Sequence, residues 1–115
     1  MTNILILDDD KLYAQSLHIL CKKLKFNCAI FEKPSDAIKQ DMIKYADLII
    51  CDYDMLDESA LDLLKYLQEN KLTKKILINS GDITCKEIIK ANNYQNLITD
   101  YTNKFISTSL LKKYI

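Results

Sequence analysis

Arginine is absent from this chain: all sixteen basic residues are lysines. That removes the planar, bidentate side chain best suited to phosphate or base recognition, so direct nucleic-acid binding is not expected. Net charge is absent as well. The 16 lysines balance 16 acids, and no overall field draws the chain to nucleic acid or to an anionic membrane. Cys21, Cys28, Cys51 and Cys85 form no C-x-x-C pair, and His18 is the sole histidine. Structural zinc and a disulfide framework are thereby disfavoured, and the thiols read as buried and reduced in a cytoplasmic setting. No apolar stretch approaches the length of a membrane span. The N-terminal run, Ile4 to Leu7, meets three acids at once, which no signal peptide does. Repeats, linkers and low-complexity segments are missing. What remains is one domain over residues 1–115. At this size a chain buries about two-thirds of its unfolded surface.

Against these absences stand two apolar runs that stop on carboxylates. Leu48-Ile49-Ile50-Cys51 ends at Asp52, with Asp54 two residues on, and Ile4-Leu5-Ile6-Leu7 ends at Asp8-Asp9-Asp10. Unbroken apolar runs of this length are typical of parallel strands covered on both faces. In open parallel sheets ligands bind beyond the carboxyl ends of the strands. Both acid clusters therefore fall where chemistry is usually done. An acidic turn closing a core strand is the plainer explanation for either run alone. Two such runs are hard to ascribe to solubility.

Between and after them the periodicity alternates. Asn3 to Leu7 predicts the first strand, and Tyr13, Leu17, Leu20, Cys21 and Leu24 form the apolar stripe of a helix. One of the three acids can cap that helix; capping does not account for all three. Asn27 to Phe31 predicts a second strand. Pro34-Ser35-Asp36 opens a helix carrying Ala37, Ile38, Met42 and Tyr45 on one side. After the Leu48 strand and a loop through Leu56, Asp57 and Glu58, a third helix carries Ala60, Leu63, Leu64 and Leu67. Lys75 to Asn79 predicts a fourth strand, stopped by Ser80-Gly81-Asp82, and Thr84 to Asn92 a weakly patterned helix. The fifth strand falls at Asn96 to Thr99 or at Asp100 to Asn103. Ser107 or Thr108 caps a last helix, which ends on apolar Ile115 and leaves room for further chain. Five strands alternating with five helices argue a doubly wound α/β domain with all strand carboxyl ends on one edge.

Converging carboxylates repel, and a hard divalent cation relieves them. Mg²⁺ suits one or two carboxylates, several waters and a phosphate. A metal beside an aspartate is also what phosphoryl transfer to that aspartate requires, with a lysine sharing the charge and a hydroxyl such as that of Ser80 binding an oxygen. The joint pattern resembles the receiver domains of bacterial two-component response regulators. Leu5-Ile6-Leu7-Asp8-Asp9-Asp10 is similar to the family's first strand and acid pair. Leu48 to Met55 is similar to the strand ending in its phosphoacceptor, and Leu77-Ile78-Asn79-Ser80-Gly81 to the strand ending in Ser or Thr. Asp100-Tyr101-Thr102-Asn103-Lys104 resembles its Asp-Tyr-x-x-Lys segment.

The resemblance implies a flavodoxin-like sheet of order 2-1-3-4-5 and a phosphoryl group passed to Asp52 from a histidine kinase or phosphotransfer protein. It implies Mg²⁺ held by Asp8, Asp9, Asp52 and the backbone carbonyl of Asp54. Ser80 and Lys104 would contact the phosphoryl oxygens, and Tyr101 would change rotamer with Ser80. A downstream effector domain or target protein, and a phosphorylation-dependent homodimer, are the partners it allows. The chain departs from the pattern at Leu56, where the family usually has Pro, and at Ser59-Ala60 in place of Asp-Gly. Phe105 stands where a cis proline usually follows the lysine. A trans Lys104–Phe105 bond is therefore expected, since a cis bond before a non-proline residue costs about 2.5–4 kcal/mol, with Lys104 still reaching the acids through its long stem. Two competing functions start from the same residues. Asp52-Tyr53-Asp54 also resembles the D-x-D of haloacid-dehalogenase-type phosphatases, and a pseudo-receiver would keep the acids only as remnants and bind a partner.

Overall fold

Each residue of the central run is buried on one of two faces, and this sets the architecture. In the computed structural model, which describes residues 2–82 and 84–115, the run forms β3 (Leu48–Cys51), flanked by β1 (Asn3–Leu7) and β6 (Lys75–Asn79). With β2 (Asn27–Phe31) and β7 (Asp100–Thr102) at the edges, the strands make one parallel five-stranded sheet of order β2-β1-β3-β6-β7. Counted without a small hairpin described below, this is the expected 2-1-3-4-5 order. Side chains alternate across the sheet. Leu5, Leu7, Ile49, Cys51, Ile76 and Ile78 face α2 (Pro34–Lys39), α3 (Ala60–Glu69) and α4 (Thr84–Ala91). Ile4, Ile6, Leu48, Ile50 and Leu77 face α1 (Lys11–Lys23) and α5 (Thr108–Lys113). Burying such a side chain fully contributes about 1.5–3 kcal/mol, so truncating Ile49 or Ile50 would open a cavity between two layers.

Local signals place the helices over the strand ends. Asp10 caps α1, its carboxylate accepting the Tyr13 N–H at 3.1 Å. Ser59 and Asp62 form a reciprocal capping box at the start of α3. Glycine, the usual residue where a helix ends in left-handed backbone, occurs only at Gly81. Lys25, Asp41, Lys71 and Asn93 take that conformation just beyond α1 to α4, with φ between 54° and 63°.

Two expectations need correction, and the choice left open for the fifth strand is resolved in favour of the later segment. The helix opened by Pro34 stops at Lys39, because Asp41 turns left-handed at φ 57°. Met42 and Tyr45 thus lie beyond the helix, Tyr45 is 60% exposed, and Ile43 takes the core position. The fifth strand is Asp100–Thr102, while Gln95–Leu97 is a 3₁₀ turn. The loop after Asp52 is an antiparallel hairpin, β4 (Asp54–Met55) and β5 (Glu58–Ser59), with Leu56 at φ 51° in its two-residue turn. A positive φ there is normally supplied by glycine.

Candidate functional site

The strand order brings the two acid clusters side by side. β1 and β3 are neighbours in register, so Leu7 pairs with Cys51 and the residues that follow both strands emerge together. Asp8, Asp9 and Asp52 each offer a carboxylate oxygen, and these oxygens lie within 4.8 Å of one another. Asp8 is 3% exposed; Asp9 and Asp52 are half-buried. The Asp54 side chain is exposed and stands outside this group.

Lys104 arrives from the end of β7. Its Nζ lies 3.1 Å from Asp8 Oδ2 and 3.2 Å from Asp52 Oδ2. The Lys104–Phe105 peptide is trans, like the others among the described residues, and Phe105 absorbs the turn at φ 51° with its ring 86% exposed. Beneath the ammonium lies Tyr13 of α1, with Nζ 4.9 Å from the ring centroid, and Phe105 meets that ring edge-on at 5.7 Å. Tyr13 Oη donates to Asn79 Oδ1 at 2.5 Å, and Asn79 Nδ2 donates to Thr102 Oγ1 and to the Asn103 carbonyl, both at 3.0 Å. A buried amide thus ties α1, β6 and the chain leading to Lys104 into one unit.

Electrostatics follow from this crowding. Burial pushes the Asp8 carboxyl above its usual range, against the pull of the Asp10 N–H and Lys104. Burial also raises Asp52, helped by the Asp8 charge and opposed by Lys104 and the Tyr53 N–H, which donates to Asp52 Oδ1 at 2.7 Å. Desolvation works against the Lys104 ammonium, yet Asp8 and Asp52 together hold its pKa above the ordinary lysine value. One ammonium cannot neutralise three carboxylates. The excess of clustered hard oxygen donors is what a divalent cation such as Mg²⁺ fits.

The other predicted residues lie further along the same edge. Ser80 follows β6, its N–H bonded to the Thr102 carbonyl at 3.1 Å and its Oγ accepting the Asp82 N–H at 3.1 Å. Tyr101 pairs with Ile78 across β6 and β7. Its hydroxyl is buried with no hydrogen-bond partner among the described residues, and Lys86 Nζ sits 5.4 Å from its ring centroid. Three features were missed from the sequence. The Leu56 N–H donates to Asp9 Oδ2 at 3.0 Å, Tyr13 underlies Lys104, and Asn79 braces both. Only Asn79 left a signal, as a polar residue closing an apolar strand.

Known proteins share this fold. Residues 4–115 match the response regulator receiver domain family, and the chain belongs to it. The cell cycle transcriptional regulator CtrA of Caulobacter vibrioides is 30% identical over 78 residues, 68% of this chain and 34% of that protein. CtrA of Brucella ovis matches to the same extent. The chain thus spans about a third of the length of these curated relatives. Among solved structures, a two-component response regulator from Clostridium difficile superposes with a TM-score of 0.81 at 24% identity, covering 98% of this chain and 91% of that one. The response regulator TrrA from Thermotoga maritima, solved in complex with Mg(2+)-BeF, superposes at 0.79 with 19% identity over the whole of both chains. The fold is that of a receiver domain, a part of two-component signalling. No helix among the described residues is long and apolar enough to cross a membrane.

Proposed function

We propose that Asp52 is a phosphoacceptor, charged by a histidine kinase or phosphotransfer protein in the cytoplasm, and that its phosphorylation resets the face made by α4, β7 and α5. The carrying observation is the convergence of Asp8, Asp9 and Asp52 opposite Lys104. Asp8, Asp9, Asp52 and the backbone carbonyl of Asp54 would hold Mg²⁺, directly or through water. When bound, the metal would neutralise charge on the transferring group and its oxygens. The chain supplies the rest. An Asp52 carboxylate oxygen forms the bond to phosphorus as the P–N bond of the donor phosphohistidine breaks, and the leaving imidazole takes up a proton. The Tyr53 N–H and Lys104 fix the orientation of that carboxylate, and Asp8 holds the ammonium beside it. Ser80 and Lys104 would then bind the phosphoryl oxygens, and Tyr101 would shift with Ser80. Asp52 is consumed and regenerated in this scheme, so the domain is a phosphoacceptor that assists its own phosphorylation and dephosphorylation. Output would pass to an effector domain or target protein, or through a phosphorylation-dependent homodimer.

The test is covalent. Acetyl phosphate or phosphoramidate with Mg²⁺, followed by borohydride trapping and mass spectrometry, should label Asp52. EDTA or Asp52→Asn should abolish the label, and labelling that persists in either case overturns the assignment. Family membership and the exposed Asp54 side chain both speak against the D-x-D phosphatase alternative.

A further inference from the structure

The hairpin that follows Asp52 is held from both sides. On the inner side lies the Leu56 N–H bonded to Asp9. On the outer side Glu58, which pairs with Met55 in the hairpin, gives both carboxylate oxygens to Ser35 at the start of α2. Oε1 accepts the Ser35 N–H at 2.9 Å, and Oε2 accepts the Ser35 hydroxyl. Lys33 closes the arrangement, its Nζ 3.2 Å from Asp57 Oδ1 and 3.8 Å from Glu58 Oε2. Lys33 offers α2 no side-chain cap of its own, so Glu58 satisfies this helix from 23 residues away. The Glu58 side chain is only 17% exposed. Hydrogen bonds to a charged acceptor shielded in this way are roughly twice as strong as neutral ones.

We infer that Glu58 is a positioning residue for the cation site. Because it anchors the hairpin to α2, it fixes where the Leu56 N–H meets Asp9 and where the Asp54 backbone stands beside Asp52. The inference rests on the proposal that these acids hold Mg²⁺, and it assigns to the outer side of the hairpin a share of the affinity. A residue that only stabilised α2 would change the melting temperature and leave the metal affinity alone. Partners one layer outside a metal site typically contribute about 10–100-fold in affinity when removed. Glu58 acts through a backbone, so the lower end of that range applies.

Calorimetric titration of Mg²⁺ into wild type, Glu58→Ala, Glu58→Gln and Ser35→Ala separates the cases. Glu58→Ala should raise the Mg²⁺ Kd by about tenfold. Glu58→Gln should restore most of it, since an amide can accept the Ser35 N–H and donate to the Ser35 hydroxyl; that rescue excludes a simple loss of charge. Ser35→Ala keeps the backbone bond and should fall between them, which secures the test if Glu58→Ala does not fold. In acetyl phosphate labelling, Glu58→Ala should raise the Mg²⁺ concentration for half-maximal rate and leave the rate at saturation nearly unchanged. In EDTA, the Leu56 amide should exchange with solvent faster than in wild type. An unaltered Kd and unaltered Leu56 exchange in Glu58→Ala and Ser35→Ala would overturn the inference and leave Asp52 chemistry intact. Failure of wild type itself to bind Mg²⁺ or to be labelled would overturn the functional proposal instead, and this inference with it.

Discussion

The acid side and the hydroxyl side of the sheet edge are built differently. On the acid side each polar group has named partners. Asp8 and Asp52 share Lys104, Asp9 holds the Leu56 N–H, and Glu58 holds Ser35. On the hydroxyl side, among the described residues, Ser80 Oγ takes only the Asp82 N–H and the buried Tyr101 hydroxyl has no partner. A buried polar group left unpaired costs about 1–3 kcal/mol. The first side is held in place by its partners. The second is the one that gains from rearrangement, which is where the proposed switch would lie.

The largest expected effect comes from breaking the acid side. Lys104→Ala leaves Asp8 and Asp52 facing each other without a cation. Removing one partner of a fully buried pair costs about 3–5 kcal/mol; Lys104 retains 26% side-chain exposure, so solvent screening reduces this to about 2 kcal/mol. Urea unfolding in EDTA should show that loss, and saturating Mg²⁺ should recover much of it. A variant as stable as wild type in EDTA would mean that the ammonium is not what balances the acids.

The hydroxyl side should respond with the opposite sign. Tyr101→Phe deletes an unpaired polar atom and keeps the ring, so the unphosphorylated domain should gain about 1 kcal/mol. Destabilisation in the same unfolding experiment would show that the Tyr101 hydroxyl is satisfied, and the contrast between the two sides would disappear.

The smallest expected effect is a pH slope. Asp8 and Asp52 are raised in the folded protein, mainly by burial, so the folded state binds protons more tightly than the unfolded chain. Their contribution is fully present below the unfolded value of about 3.9 and is lost as pH rises through the folded values. Metal-free stability from these two groups should therefore fall across the range just above pH ~4. Asp8→Asn should flatten the slope, and Mg²⁺ should reverse it by favouring the ionised forms. A slope of the opposite sign in EDTA would show that Lys104 outweighs burial.

The acid side was also the more legible in the sequence. Ile4 to Leu7 and Leu48 to Cys51 read as strands because burial on both faces leaves no polar position to break the run. Once those runs are adjacent parallel strands, Asp8, Asp9 and Asp52 have to share an edge. Other parts left weaker traces. Met42 and Tyr45 continue the helical spacing past Lys39, but the backbone reversal at Asp41 ends the helix, and periodicity carries no record of it. Asp100 to Thr102 is a three-residue edge strand with only Thr102 buried, too short and polar to stand out from its flanks. The bond from Glu58 to Ser35 links segments that meet only in the folded chain, and Leu56 contributes a backbone N–H, which every residue but proline has.

The ring beneath Lys104 has a practical consequence. The chain contains seven tyrosines and no tryptophan, so tyrosine dominates its near-ultraviolet absorption and fluorescence. Tyr13 is buried, hydrogen-bonded to Asn79, and in contact with the Lys104 ammonium that touches both Asp8 and Asp52. Moving that charge changes the field across one of the seven rings, held in a fixed environment. With no brighter indole to mask it, the change in tyrosine signal that Tyr13→Phe removes would report on the acid cluster without an added label.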